Sequence, residues 1–115
     1  MSLKLPRLLC QRGEFGELAL ELKRPEWERL STQELLLTED GGAPKQRTLL
    51  KAGWDEAYLR LLFFAEDSHP WATLNERDAP LYTEEVVEAF LDPVGDLGAY
   101  FEIEVNPNNA VLDLC

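Results

Sequence analysis

From Thr48 onward the apolar residues alternate with polar ones in short runs separated by Gly, Pro, Asn and Asp clusters, the period of β-strands and not of helices. The pattern predicts an all-β chain. Thr48 to Trp54 and Tyr58 to Glu66 read as two strands joined at Asp55-Glu56 into an antiparallel hairpin. In the second of these, YLRLLFFAE, Leu59, Leu61, Phe63 and Ala65 share one face while Tyr58, Arg60, Leu62, Phe64 and Glu66 share the other. Both faces are largely apolar, which places this strand at the centre of its sheet. Glu85 to Asp92 forms a further strand ending at Pro93, followed by a turn through Gly95, Asp96 and Gly98. Ala99 to Val105 then alternates cleanly, and Asn106-Pro107-Asn108-Asn109 turns the chain into a last strand, Ala110 to Leu114.

The first third carries a weaker pattern. Glu17 to Lys23 and Gln33 to Thr38 read as strands, Pro25 to Leu30 as a helical turn opened by proline, and Glu39 to Gln46 as a loop. Between the central hairpin and the next strand, Asp67 to Pro80 is a long polar connection, and loops of that length usually have a role.

Length and composition narrow the picture. A chain of 115 residues, 45% hydrophobic and 29% charged, is expected to fold as a single domain over 1–115. Its net charge of −11 and pI near 4.4 repel phosphate backbones and anionic lipid, so neither nucleic acid nor a membrane is an expected partner. Pro6, Arg7, Gln11 and Arg12 interrupt any signal-peptide core, and the expected location is the cytoplasm unless the chain is a piece of an exported protein. Cys10 and Cys115 lie near opposite ends and are expected as free thiols.

Most catalytic chemistries lack their residues. Gly41-Gly42 is not followed by the Lys-Ser or Lys-Thr of a phosphate loop, and His69 is the sole histidine, so a nucleotide site, a Ser-His-Asp triad and a zinc site are all unsupported. Carboxylates remain. Glu88 shares its strand face with Val86 and Phe90, so a charge stands in an apolar row. If the next strand pairs back, Glu102 and Glu104 approach Glu88 on that face. Three readings stay open for the group: a solvated sheet face, a polar ligand groove, and a glycosidase-type carboxylate pair. Trp71 and Tyr82, in or beside the long loop, suit stacking on sugar C–H groups as well as covering a sheet edge. Phe63, Phe64 and Phe90 read as core residues, Trp27 and Trp54 as core or hairpin packing.

The ordered landmarks Trp27, Thr48, Trp54-Asp55, Asp67, Asp78, Leu81-Tyr82, Glu85-Val86-Val87-Glu88-Ala89-Phe90-Leu91-Asp92 and Tyr100-Phe101-Glu102-Ile103-Glu104-Val105-Asn106-Pro107 resemble carbohydrate-binding module family 9-like domains, of the DOMON-like group. The match runs from about Glu17 to the C-terminus. The resemblance implies a jelly-roll-like antiparallel β-sandwich that binds mono- or oligosaccharides without catalysis, in some members with structural calcium. It implies that Tyr82 is a stacking ring and that Glu88 bonds sugar hydroxyls; Trp71, Arg77, Asp78 and Glu102 are expected beside them as further ligand residues. Glu102 stands where sugar-binding members place an arginine, and the segment bearing the second stacking tryptophan is not in this sequence. The alternative is therefore an interaction or accessory β-sandwich domain that has lost sugar binding. Domains of that group are longer than this chain, so the resemblance implies a sandwich cut after Leu114 with edge groups and an apolar face uncovered, and the chain is expected to self-associate or to continue into a missing C-terminal segment.

Overall fold

The computed structural model describes residues 5–15 and 25–115. The strand expected over 17–23 lies outside them. The architecture is all-β: strands β1 (Gln11–Arg12), β2 (Thr32–Glu34), β3 (Thr48–Trp54), β4 (Leu59–Ala65), β5 (Val87–Leu91), β6 (Phe101–Val105) and β7 (Val111–Leu114), with one helical turn α1 (Pro25–Glu28) and a 3-10 turn η1 (Leu81–Thr83). No helix among the described residues is long and apolar enough to cross a membrane. The chain divides into two compact units, Met1–Asp67 and Ser68–Cys115.

In the first unit β3 is the central strand. It pairs with β4 along its whole length on one side, and on the other with β2 antiparallel and β1 parallel. The two-sided apolarity of the Tyr58 to Glu66 run had placed that strand at the centre. The structure instead puts β4 outside, pairing only with β3 among the described residues. The reason is geometric: apolar residues on both faces report what covers a strand above and below, whereas lateral pairing is decided by backbone hydrogen bonds and close approach. β3 carries those bonds on both edges, to β4 on one and to β2 and β1 on the other, while on its face Gly53 leaves room for the Phe15 ring and Leu30. Phe15, Trp27 and Leu30 form the buried cluster, with Leu62 packed on it and the Phe15 and Trp27 rings tilted at a 5.2 Å centroid separation. The Lys51 ammonium donates to the Trp27 carbonyl at 2.8 Å, tying α1 to the sheet. Phe64, expected in the core, is exposed on the outer strand.

The hairpin between β3 and β4 closes around Asp55. Its Oδ1 accepts from the Ala57 and Tyr58 amides at 2.9 and 2.8 Å, and its Oδ2 pairs with the largely covered Arg60 guanidinium at 3.1 Å. Those amide donors, then Arg60, hold the Asp55 carboxyl below the usual range. Trp54 sits at the end of the hairpin with the Arg12 guanidinium 5.0 Å over its ring. The strand expected over Gln33 to Thr38 stops at Glu34, because the chain turns where the Leu37 amide donates to the Gly42 carbonyl and the Gly41 amide to the Leu37 carbonyl. Both cysteines are free.

The second unit is a three-stranded antiparallel sheet, β5-β6-β7, in which each strand pairs with its successor. Leu81, Ala110 and Leu112 form its buried cluster, joined by Leu74, Ala79 and Val86. The long connection is a hydrogen-bonded structure. Asn106, in the β6–β7 turn, donates to the Leu74 carbonyl at 2.8 Å and accepts from the Asn108 and Ala110 amides, while Asn108 donates to the Ala72 carbonyl and to Asn75 Oδ1. Glu84 accepts from the Thr73 amide and hydroxyl, and Glu85 from the Trp71 amide. These carboxylates are turned to the connection, and β5 accordingly begins at Val87, not at Glu85.

A methyl group on Gly53 would lie 2.6 Å from Phe15 Cζ and 2.9 Å from a Leu30 methyl. Gly53→Ala should therefore destabilise the protein by roughly 1–3 kcal/mol, read from the midpoint of urea denaturation. An unchanged midpoint would show that the Phe15 cluster yields without cost.

Candidate functional site

The β5–β6 register sets Glu88 directly opposite Glu104 and Phe90 opposite Glu102. Strand alternation then brings Glu88, Phe90, Glu102 and Glu104 to one face, with Leu112 opposite Glu104 on the far side of β6. Three carboxylates meet there: one oxygen from each of Glu88, Glu102 and Glu104 lies within 4.8 Å of the others.

Their environments differ. Glu88 is exposed and Glu102 half-buried, but Glu104 is only 1% exposed, lodged between Glu88 and Leu112. Glu104 Oε1 is buried and has no hydrogen-bond partner. Ion pairs among the described residues engage Glu14, Asp55, Glu56, Glu66, Asp78 and Asp113, and none of these reaches the triad. Burial first, then the hydrogen bond that the protonated Glu104 donates to the Glu102 carboxylate, and the Glu88 and Glu102 charges, raise the Glu104 carboxyl from 4.5 to about 7.

Beside the carboxylates lies an open hollow of about 330 Å³ lined by Phe90, Asp92, Leu97 and Tyr100. Phe90, expected in the core, is 60% exposed, and its ring meets Tyr100 edge to face at 5.7 Å. The rim of the hollow is built by Asp92, whose carboxylate accepts from the Gly95 and Leu97 amides at 2.9 and 2.8 Å and is held low by them. Those bonds fix the β5–β6 loop, which runs through positive φ at Gly95 and Leu97.

The structure thus gathers Glu88, Glu102 and Glu104, as the strand pairing predicts, and adds Phe90 and Tyr100. Tyr82 is exposed on η1, next in the chain to Leu81, which packs in the Leu112 cluster. Trp71 is partly exposed in the long connection, tied by its amide to Glu85. Arg77 and Asp78 are engaged elsewhere: the Arg77 guanidinium contacts Asp113 at 2.8 Å and Asp78 at 3.4 Å. The Asp78 amide donates to the Val111 carbonyl, so this pair fastens the connection to β7. Phe90 and Tyr100 carried a sequence signal, since both share the parity of the carboxylates across the paired strands. Nothing in that pattern showed that the face opens beside them.

The raised Glu104 carboxyl gives a pH dependence of known sign. Between about 4.5 and about 7 the folded protein holds a proton that the unfolded chain has released, so its contribution to stability is complete below 4.5 and lost as pH rises through 7. In chelator-treated buffer the melting temperature should fall across this window, by the equivalent of on the order of 1–3 kcal/mol. Glu104→Gln should flatten the slope; a variant with the wild-type slope would assign it to another group.

The family models, the curated proteins and the solved structures compared with this chain contain no match to it.

Proposed function

We propose that the chain is a non-catalytic carbohydrate-binding domain, whose site is the Phe90–Tyr100 hollow and the carboxylates next to it. The observation that carries this reading is the placement of exposed rings and hydrogen-bond acceptors on one sheet face: Phe90 is directly across from Glu102, and Tyr100 touches Phe90. Aromatic faces take the C–H side of a sugar, and carboxylate oxygens accept from its hydroxyls. A neutral ligand also meets no repulsion from a chain of charge −11. The resemblance to carbohydrate-binding module family 9-like domains, with their jelly-roll-like β-sandwich, supports the same ligand class and adds Tyr82, exposed on η1, as a third candidate stacking ring.

A second reading, an interaction domain without sugar binding, is favoured by Glu102 in the place of a hydroxyl-binding arginine. No described arginine replaces it in the carboxylate group, since Arg77 is held by Asp113 and Asp78.

Calorimetric titration with glucose, xylose, cellobiose and xylobiose separates the two. Sugar binding predicts heat with at least one of them, the disaccharides being recovered uncleaved. Phe90→Ala and Tyr100→Ala should each weaken that binding at least tenfold, while the exposed positions leave the melting temperature within a few degrees of wild type. Absence of heat with all four sugars, with and without calcium, would overturn the reading in favour of the interaction domain.

A further inference from the structure

We propose that Glu88, Glu102 and Glu104 form a binding site for one calcium ion. The resemblance assigns Glu88 to sugar hydroxyls and gives no role to Glu104, so the site comes from the geometry of this chain. Nor does it depend on saccharide binding, since every element of it is present without a sugar.

The sheet forces an unfavourable arrangement on these residues. Like charges directly across a ladder repel, and here Glu88 and Glu104 are paired across β5 and β6 with Glu102 on the same face. Glu104 Oε1 is both buried and unpartnered. Carboxylate oxygens in that state are costly to a fold unless something neutralises them, and the described residues offer no Lys or Arg ion pair to the triad. Each strand is held at its end by its own turn, through Asp92 after β5 and Asn106 after β6, so the three side chains are brought together by fixed backbone.

The donors select the kind of cation. Three carboxylates and no His or Cys suit a hard ion that takes oxygen, not zinc or copper. Calcium binds oxygens at about 2.3–2.6 Å, so ligands on opposite sides of it stand up to about 5 Å apart; magnesium, at about 2.0–2.1 Å, requires no more than about 4.2 Å. The three oxygens all lie within 4.8 Å of one another, inside the calcium limit. With Glu88 exposed, water completes the shell, and three protein ligands place the dissociation constant on the order of 0.1–1 mM.

The test is a pair of measurements on the whole chain at about pH 8 without sugar: thermal melts and calorimetric titration, with calcium chloride, magnesium chloride, or sodium chloride of matched ionic strength. Calcium at about 5 mM should raise the melting temperature by several degrees above the sodium control, and magnesium by less. Glu104→Gln should abolish the calcium-specific rise. Glu88→Gln, at an exposed position that leaves folding intact, should weaken calcium binding at least fivefold by calorimetry and keeps the test decisive if the buried variant misfolds. A calcium melt no higher than the sodium control, or a calcium affinity unchanged in Glu88→Gln, would overturn the proposal.

Discussion

The antiparallel ladder between β5 and β6 sets which chemistry the second unit presents, because one pairing, Glu88 with Glu104, determines all the others. A slip of one residue would turn Glu88 and Phe90 to the opposite face while Glu102 and Glu104 stayed, dispersing both the acidic group and the ring pair. The register is fixed from its two ends. Asp92 collects the amides of the loop after β5, and Asn106 collects those of the turn after β6 while reaching across to Leu74. The carboxylate group is thus imposed by turns that themselves contain no unusual chemistry. Its repulsion is offset by the Leu81, Ala110 and Leu112 cluster packed around the same strands.

That face joins two kinds of surface. The ring side is apolar and open, shaped by Phe90, Tyr100 and Leu97; the acid side runs from exposed Glu88 to buried Glu104. A small neutral polyol satisfies the first through its C–H groups, and a proton or a hard cation satisfies the second. The two sides meet at the Phe90–Glu102 pair, so occupancy of either alters the electrostatic surroundings of the other.

Much of this fold was legible in the alternation. The hairpin about Asp55, the three later strands and the Asn-rich turn follow from period-two patterning and turn chemistry, which are local. The Glu88, Glu102 and Glu104 grouping was legible too, because a short connection between adjacent strands nearly dictates their pairing. What escaped was set by longer-range facts. The outer position of β4 depends on β2 and β1 pairing with β3, and the distant β1 pairing has no sequence signature. The exposure of Phe64 and Phe90 likewise depends on what does not cover them, whereas hydrophobicity alone assigns any phenylalanine to a core. Glu84 and Glu85 looked like the start of a strand, yet their carboxylates serve the Thr73 and Trp71 amides of the preceding connection.

The order of the strands also has a kinetic side. In β5-β6-β7 every pairing joins segments that follow one another in the chain, so each hairpin closes over a short loop at small entropic cost. The parallel pairing of β1 with β3 is of another kind, since it unites Gln11 with Gly53 and must wait for the intervening chain to be gathered in. Its two-residue ladder gains little in return. Among the described strand pairs of the first unit this one closes the longest loop, so its contact order exceeds that of the sequential pairs in the second.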